Sequence, residues 1–396
     1  MRVAVVHDWL YVVGGAEKVL EQILQVYPDA DVFSVFDALG EEDHRRLGIT
    51  KPVKTTYLQR FPGIRRFHRT LLPLMPLAIE QLDLSEYDIV ISSSYAVAKG
   101  VLTGPDQLHV SYVHSPIRYA WDLQHRYLAE AGSSRGLKSM LMRALLHRIR
   151  IWDFRTSFGP DVMIANSHFI ARRIRKVYGR SAQVIYPPVD LWTRKVPVQK
   201  GNYFFTASRL VPYKNVEVVV RAFALMPDLK LIVGGSGPQL EYLKKIATPN
   251  VEFAGFVPDA KLRDLMAGAR AFIFAAEEDF GIIPVEAQSE GTPVLALRRG
   301  GSRETVIDGQ TGLFYDRATP DAISATVLDF ASKEKTFSAA DCVRNASRFS
   351  PERFRAEFRA AVEAALTAKK AEEALTLANF GPTVGKRAKV REAAQP

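Results

Sequence analysis

The chain has 396 residues, 47% of them apolar, enough to bury two cores, and no uninterrupted apolar segment approaches the length that crosses a bilayer. A single cysteine, Cys342, excludes internal disulfides and thiolate metal clusters and fits a reducing compartment. The formal charge of +10 points to an anionic partner, but no helix-turn-helix, zinc-finger or ribonucleoprotein-type aromatic motif accompanies it, so no nucleic acid is expected.

Arg2 to Val6 reads as a buried strand, and because the start lacks the small-residue cleavage site of a signal peptide, the expected location is cytoplasmic. Gly14-Gly15 then precedes a helical run, Ala16 to Val26; a paired glycine lets backbone approach a ligand, and equally makes a tight turn with none. Asp29-Ala30-Asp31 has the spacing of a metal-binding D-x-D element, but it lies in a helix-to-strand loop where aspartates serve turns, and no metal is expected. Residues 57–79 mix arginines with large apolar side chains and three prolines, which excludes one regular helix. Tyr87 to Ser94 and His109 to Val113 are two further buried strands. His114, after the second, would face the crevice at the strands' carboxyl ends, and Arg118, Tyr119, Trp121 and Asp122 follow, an aromatic-acid grouping suited to gripping a sugar ring. In residues 135–155, Leu137, Met140, Leu141, Ala144, Leu145, Ile149 and Trp152 recur at helical spacing among six cations opposed only by Asp153. Such a helix either packs its stripe inward or lies on an anionic leaflet. Strands at Asp161 to Asn166 and Gln183 to Tyr186 flank a helix capped by Ser167, and Leu191 to Asn202 is polar and aperiodic, a linker.

The second half begins the pattern again. Tyr203 to Ala207, Lys230 to Val233, Val251 to Phe253, Ala271 to Ala275, Pro293 to Leu297 and Gly312 to Tyr315 read as short strands with helices between most of them, a doubly wound parallel sheet. Ser208, Arg209 and Lys214 stand after the first of these strands, and two cations there can neutralise a diphosphate as it leaves. Gly234-Gly235-Ser236-Gly237 follows the second strand as a glycine-rich turn, and Gly255-Phe256-Val257-Pro258 the third. Glu278 ends the Ala271 strand region, Glu286 lies early in a helix whose first turn accommodates Pro284, and Phe280, Gly281, Ile282 and Ile283 form the turn between them. The free N–H groups of that turn seat an anion and the carboxylates take hydroxyls, the pattern of a nucleotide-sugar site. Ser350-Pro351 starts a basic amphipathic helix to about Leu366, and Ala368 to Pro396, rich in Ala, Lys and Glu, reads as a frayed or disordered tail.

Glu278 and Glu286, separated by seven residues within E-D-F-G-I-I-P-V-E, resemble the E-x7-E element of retaining glycosyltransferases of family 4. The likeness runs from Val3 to about Leu366. The first half, with HDWL at 7–10, GGAEKV at 14–19 and VHSPIRYAWDLQHRYL at 113–128, further resembles bacterial mannosyltransferases of O-antigen and exopolysaccharide assembly. The resemblance implies an α/β chain of GT-B fold, two Rossmann-like doubly wound domains facing a central cleft. Residues 1–190 would form an acceptor-binding domain, 191–350 a nucleotide-sugar-binding domain, 351–367 a helix crossing back to the first domain, and 368–396 the tail.

It also implies roles. Glu278 would hold the hexose hydroxyls and Glu286 the ribose, with Arg209, Lys214 and the Gly281 turn on the diphosphate and His114 beside the sugar's reacting face. Gly14, Gly15, Ser208, Gly235, Val257, Phe280, Ile282 and Ile283 would complete the donor site, Val257 near the base, while Glu304 in the GGSRE turn at 300–304 would support it. Arg118, Tyr119, Trp121 and Asp122 are assigned to the acceptor. The expected reaction is a same-face, metal-independent transfer of a hexose, mannose from GDP-mannose, to a polyprenyl-diphosphate-linked saccharide at the inner face of the cell membrane. A UDP-hexose donor, a nucleotide-sugar epimerase or hydrolase, and a membrane-binding scaffold with a relict site are the alternatives.

Overall fold

The computed structural model describes residues 1–130, 132, 135–192 and 198–379. Short β-branched runs alternate with helices, and this alternation resolves into two wholly parallel sheets. The first contains β1 (Val3–His7), β2 (Asp31–Ser34), β3 (Lys54–Thr55), β4 (Ile89–Ser94), β5 (Leu108–Val113), β6 (Val162–Ala165) and β7 (Gln183–Val184), in the order β3-β2-β1-β4-β5-β6-β7. The second contains β8 (Phe204–Ala207), β9 (Leu231–Gly234), β10 (Val251–Gly255), β11 (Phe272–Phe274), β12 (Val294–Leu297) and β13 (Gly312–Tyr315), in the order β10-β9-β8-β11-β12-β13. Both are doubly wound, reversing direction beside their first strand, between β1 and β4 and between β8 and β11. At such a reversal the flanking loops part and leave a crevice at the strands' carboxyl ends. The expected fold class is therefore present; His7 ends β1, and the loops that carry His114, Ser208 and Glu278 leave their strands at the same end.

Apolar strand residues face helices on both sides: Val5, Ile91, Val110 and Tyr112 fill one core of the first lobe, and Phe204, Val233, Ile273 and Leu295 one core of the second. The helix Pro351–Asn379 returns to the first lobe and buries Phe354, Phe358 and Val362 in its core, with the Phe354 ring 5.7 Å from Tyr112. This corrects the expected tail, because the helix continues through Ala368 to Asn379 instead of fraying. Its Ala, Lys and Glu residues are strong helix formers, the packed first half supplies the nucleus, and Lys369 anchors the extension with a 2.8 Å bond to the Gln107 carbonyl. Residues 380–396 of that tail, and 193–197 of the expected linker, lie outside the described residues. Leu191 and Trp192, read as linker, pack against apolar clusters.

Residues 57–79 break into four short helical pieces, as their prolines require. The helix Gly136–Thr156 departs from its expected stripe. Leu146, Ile149, Asp153 and Thr156 are buried, while Leu137, Met140 and Leu141 stand 80%, 67% and 63% exposed. The inward face is chosen by a polar anchor that apolar periodicity does not reveal: Asp153, wholly buried, is paired with buried Lys99 and accepts hydrogen bonds from Trp121 Nε1 at 2.7 Å and Tyr178 Oη at 2.9 Å. Lys99→Ala leaves that carboxylate uncompensated and is expected to cost about 3–5 kcal/mol, read by denaturant unfolding. Among the described residues no helix is long and apolar enough to cross a membrane.

Candidate active site

The second lobe contributes one wall of the crevice. β8 ends at Ala207, and the loop Ser208–Asn215 is tied to the end of β11 by Asn215, whose amide donates to the Ala275 carbonyl at 3.0 Å. This brings Lys214 against Glu278, and the two form an ion pair. Burial, then the neighbouring Arg118 and Arg209 guanidinium groups, push the Lys214 ammonium down to about 8. The Glu278 carboxylate in contact with it works the other way, favouring the charged form. Arg209 is exposed and makes no ion pair among the described residues. Gly235, at the end of β9, donates its N–H to the Gly255 carbonyl at 2.7 Å and lies against Ser208, whose N–H donates to Gly234. Val257 closes over Gly234.

After Glu278 the chain turns through Phe280 and Gly281 into the helix Ile282–Ser289. The Phe280 ring is buried, 5.7 Å from Tyr186 and 5.3 Å from Phe349, so it anchors the turn and only its backbone is offered to the crevice. Among the described residues none supplies an acceptor to the N–H groups of Phe280, Gly281, Ile282 and Ile283, which leaves a helix start ready for an anion. The GGSRE turn at 300–304 supports this arrangement from behind. The Gly301 N–H donates to the Glu278 carbonyl at 2.8 Å, and a Cβ at Gly301 would come within 2.3 Å of Phe280 Cα, so only glycine fits. Glu286 projects from the helix and is buried; burial raises its carboxyl, opposed by Lys18 of the first lobe, whose ammonium lies 3.2 Å away and also 2.9 Å from Asp190.

The first lobe forms the facing wall. The Gly14-Gly15 turn begins the helix Gly15–Val26, and Gly15 approaches the second lobe so closely that a Cβ would lie 2.8 Å from Ile282 Cδ1. His114 follows β5; burial, then the charge of His7, hold its imidazolium form down, to about 3. Arg118 is 3.2 Å from Asp279, and Asp122 is 2.9 Å from Arg173. Tyr119 and Trp121 differ from these two: they pack with Leu146 and Ile149, Trp121 spends its indole N–H on Asp153, and the Tyr119 hydroxyl is buried without a protein partner among the described residues. Asp31 of the D-x-D spacing is held well below the usual carboxylate range by Lys51, then by Tyr87, with Lys54 adding to them. Among the described residues no group of three or more His, Cys, Asp or Glu is arranged to hold a metal ion.

Several residues join the walls, and apart from Glu304, expected to support the site, they carried no assigned role in the sequence reading. Asp279 receives Arg118 and, at 2.9 Å, Arg173, while its carbonyl accepts the Ser167 hydroxyl at 2.7 Å. Glu304 reaches across the cleft to cap the helix His168–Tyr178, accepting the N–H groups of His168 and Phe169 at 2.8 and 2.9 Å. Lys18 pairs with Glu286. Asp279 lies between two residues already singled out, and that adjacency was its available signal. Arg173 had none, being one of several cations on its helix.

Two doubly wound lobes, meeting across a crevice lined by a cation–carboxylate pair and a turn of free amides, define the GT-B class. A family model described as Glycosyltransferase Family 4 matches residues 13–192, and one described as Glycosyl transferases group 1 matches residues 190–349. The chain belongs to glycosyltransferase family 4. It is 34% identical over 149 residues to a GDP-mannose-dependent alpha-(1-6)-phosphatidylinositol monomannoside mannosyltransferase of Mycolicibacterium smegmatis, covering 33% of this chain and 39% of that protein. It is 32% identical over 221 residues to a D-inositol 3-phosphate glycosyltransferase of Mycolicibacterium gilvum, covering 48% and 49%. The chain thus spans about half the length, or less, of these curated relatives. Among solved structures, Anabaena HepE in complex with UDP superposes with a TM-score of 0.69 at 19% identity, covering 92% of this chain and 100% of that one, a likeness of fold.

Proposed function

We propose that the chain is a retaining glycosyltransferase that moves mannose from GDP-mannose to a lipid-linked saccharide in cell-surface polysaccharide synthesis. The observation that carries the reading is the Lys214–Glu278 pair beside the free amides of the Gly281 turn. In this reading donor binding exchanges partners: the ammonium moves to a phosphate oxygen and Glu278 to the hexose hydroxyls, while Glu286 leaves Lys18 for the ribose. The bond from the anomeric carbon to the phosphate oxygen lengthens first, giving an oxocarbenium-like sugar. The acceptor hydroxyl then attacks the same face, and its proton passes to the departing diphosphate oxygen. Arg209, Lys214 and the turn amides stabilise that charge without a metal ion. The name of the Mycolicibacterium smegmatis relative supports GDP-mannose as donor.

The experiment is incubation with GDP-mannose, with and without a polyprenyl-diphosphate-linked saccharide, following nucleotide release and the fate of the sugar. Acceptor-dependent transfer with retained anomeric configuration is expected. Transfer from a UDP-hexose instead would correct the donor, and donor consumption without acceptor would replace the reading with a hydrolase or epimerase.

Lys214 helps to neutralise phosphate only in its charged form, so kcat/KM for the donor is expected to fall as pH rises through about 8. In the complex the diphosphate favours the charged form, so the fall in kcat should lie at higher pH. A pH–rate profile whose kcat/KM has no basic limb would remove Lys214 from this role.

The exposed Leu137, Met140 and Leu141, interleaved with Lys138, Arg143 and Arg148, suit an anionic leaflet carrying the acceptor. Sedimentation with phosphatidylglycerol vesicles should retain the protein, phosphatidylcholine vesicles should not, and replacing the three apolar residues by serine should weaken binding about tenfold or more.

A further inference from the structure

We propose that Glu17, acting through His7 and Ser93, sets which ring nitrogen of His114 carries the proton, so that Nδ1–H is presented to the sugar as a hydrogen-bond donor. The chain of contacts is unbroken. One Glu17 oxygen accepts the Gly14 N–H at 2.8 Å and the other lies 3.3 Å from His7 Nε2. His7 Nδ1 is 3.1 Å from Ser93 Oγ, which is 2.9 Å from His114 Nε2. Glu17, His7 and Ser93 are all buried.

The pairing of charges is the ground for the direction. A buried carboxylate is costly unless paired, and His7 is the group in contact with Glu17 that can carry the positive charge. The adjacent Lys18 is engaged with Asp190 and Glu286, and the neighbouring Asp8 is occupied by the N–H groups of Tyr95, Ala96, Val97 and Ala98. We place a hydrogen on each His7 nitrogen, so that Nε2–H faces Glu17 and Nδ1–H donates to Ser93. The serine has one proton to give and donates it to His114 Nε2, which must then be bare. The remaining proton of a neutral His114 sits on Nδ1. That nitrogen has no protein partner among the described residues, and the side chain is partly exposed.

The rest of His114 is held as a fixed donor would require. Its backbone N–H donates to Ser94 at 2.8 Å, its carbonyl accepts the Asn166 amide at 3.0 Å, and its ring meets Tyr112 edgewise at 5.1 Å. Glu17 caps the Gly14-Gly15 turn with one oxygen and orients the histidine through the other. Glu17, His7 and Ser93 are accordingly positioning residues. The kinetic consequence rests on the transfer reaction proposed above; the position of the proton does not.

The test is nitrogen NMR of the full chain labelled with ¹⁵N in its histidine rings, the His114 signals identified by their loss in His114→Gln. The wild type should show His114 as the neutral Nδ1–H tautomer. In Ser93→Ala it should revert to the Nε2–H tautomer that an unconstrained histidine favours. An Nε2–H tautomer or an exchanging mixture in the wild type overturns the proposal, as does an unchanged tautomer in the variant. The wild-type spectrum decides the point even if the variant fails to fold. In transfer assays Ser93→Ala should lower kcat about five- to tenfold, the size of one neutral hydrogen bond, with donor KM unchanged. A wild-type kcat would overturn the functional half. Absence of transfer by the wild type would count against the proposed reaction and leave the spectrum to decide the tautomer.

Discussion

Replacing Glu278 by alanine is expected to lower sugar transfer about a hundredfold while leaving the thermal melt close to wild type. The carboxylate is partly exposed at the end of a loop, and its side chain contacts Lys214 and fills no core, so its removal takes away a ligand for the sugar and little packing. GDP should still bind, because the turn amides, Arg209, Lys214 and Glu286 remain. The loss should therefore fall on kcat more than on nucleotide affinity. Lys214→Ala should lose at least an order of magnitude as well, with weaker nucleotide binding, since it removes a diphosphate contact. Nucleotide titration by calorimetry beside the transfer assay separates the two variants. Wild-type transfer by Glu278→Ala would remove that residue from the mechanism.

Asp279→Ala is the second large expectation, and it tests the join between the lobes. The carboxylate neutralises Arg118 and the nearly buried Arg173, and the same residue's carbonyl takes the Ser167 hydroxyl. Its loss leaves Arg118 without that carboxylate and Arg173 with the Asp122 carboxylate, and it loosens the turn that carries Glu278 and Gly281, which keeps its backbone contact to Ser167. Transfer is expected to fall about ten- to a hundredfold, with GDP affinity within a few-fold of wild type, because most of the proposed nucleotide contacts lie on the second lobe and catalysis needs both. Small-angle scattering should show a more open chain. A variant that keeps full activity and the wild-type scattering curve would make Asp279 a surface ion pair of no consequence.

The two sheets were legible from apolar runs of four to six residues between helical segments, because a strand covered on both faces must be apolar along its length. The second-lobe wall was legible for a local reason. Strand, turn, helix start and both carboxylates lie within one stretch from Ala271 to Glu286, so sequence distance approximates spatial distance there. The helix Gly136–Thr156 was legible in extent but not in facing. Its burial follows Asp153, and no periodicity shows that Lys99, Trp121 and Tyr178 converge on that carboxylate. Trp121, grouped with Arg118 and Asp122 by adjacency, is turned toward that buried acid, while Arg118 reaches the other lobe.

By itself, the order of residues determined the fold class, the repeat of one topology in two halves, and the cations, carboxylates and amides of the second lobe, since each depends on patterns a few residues long. Only the tertiary structure decided which charges are spent and which are free. Lys18 meets Glu286, Arg173 meets Asp279, Glu304 caps a helix of the opposite lobe, and Glu17 reaches His114 through two intermediaries. The first three pairings join residues 106 to 268 apart and the fourth runs through a buried relay, and the burial and distance that set their strength exist only once the chain has folded.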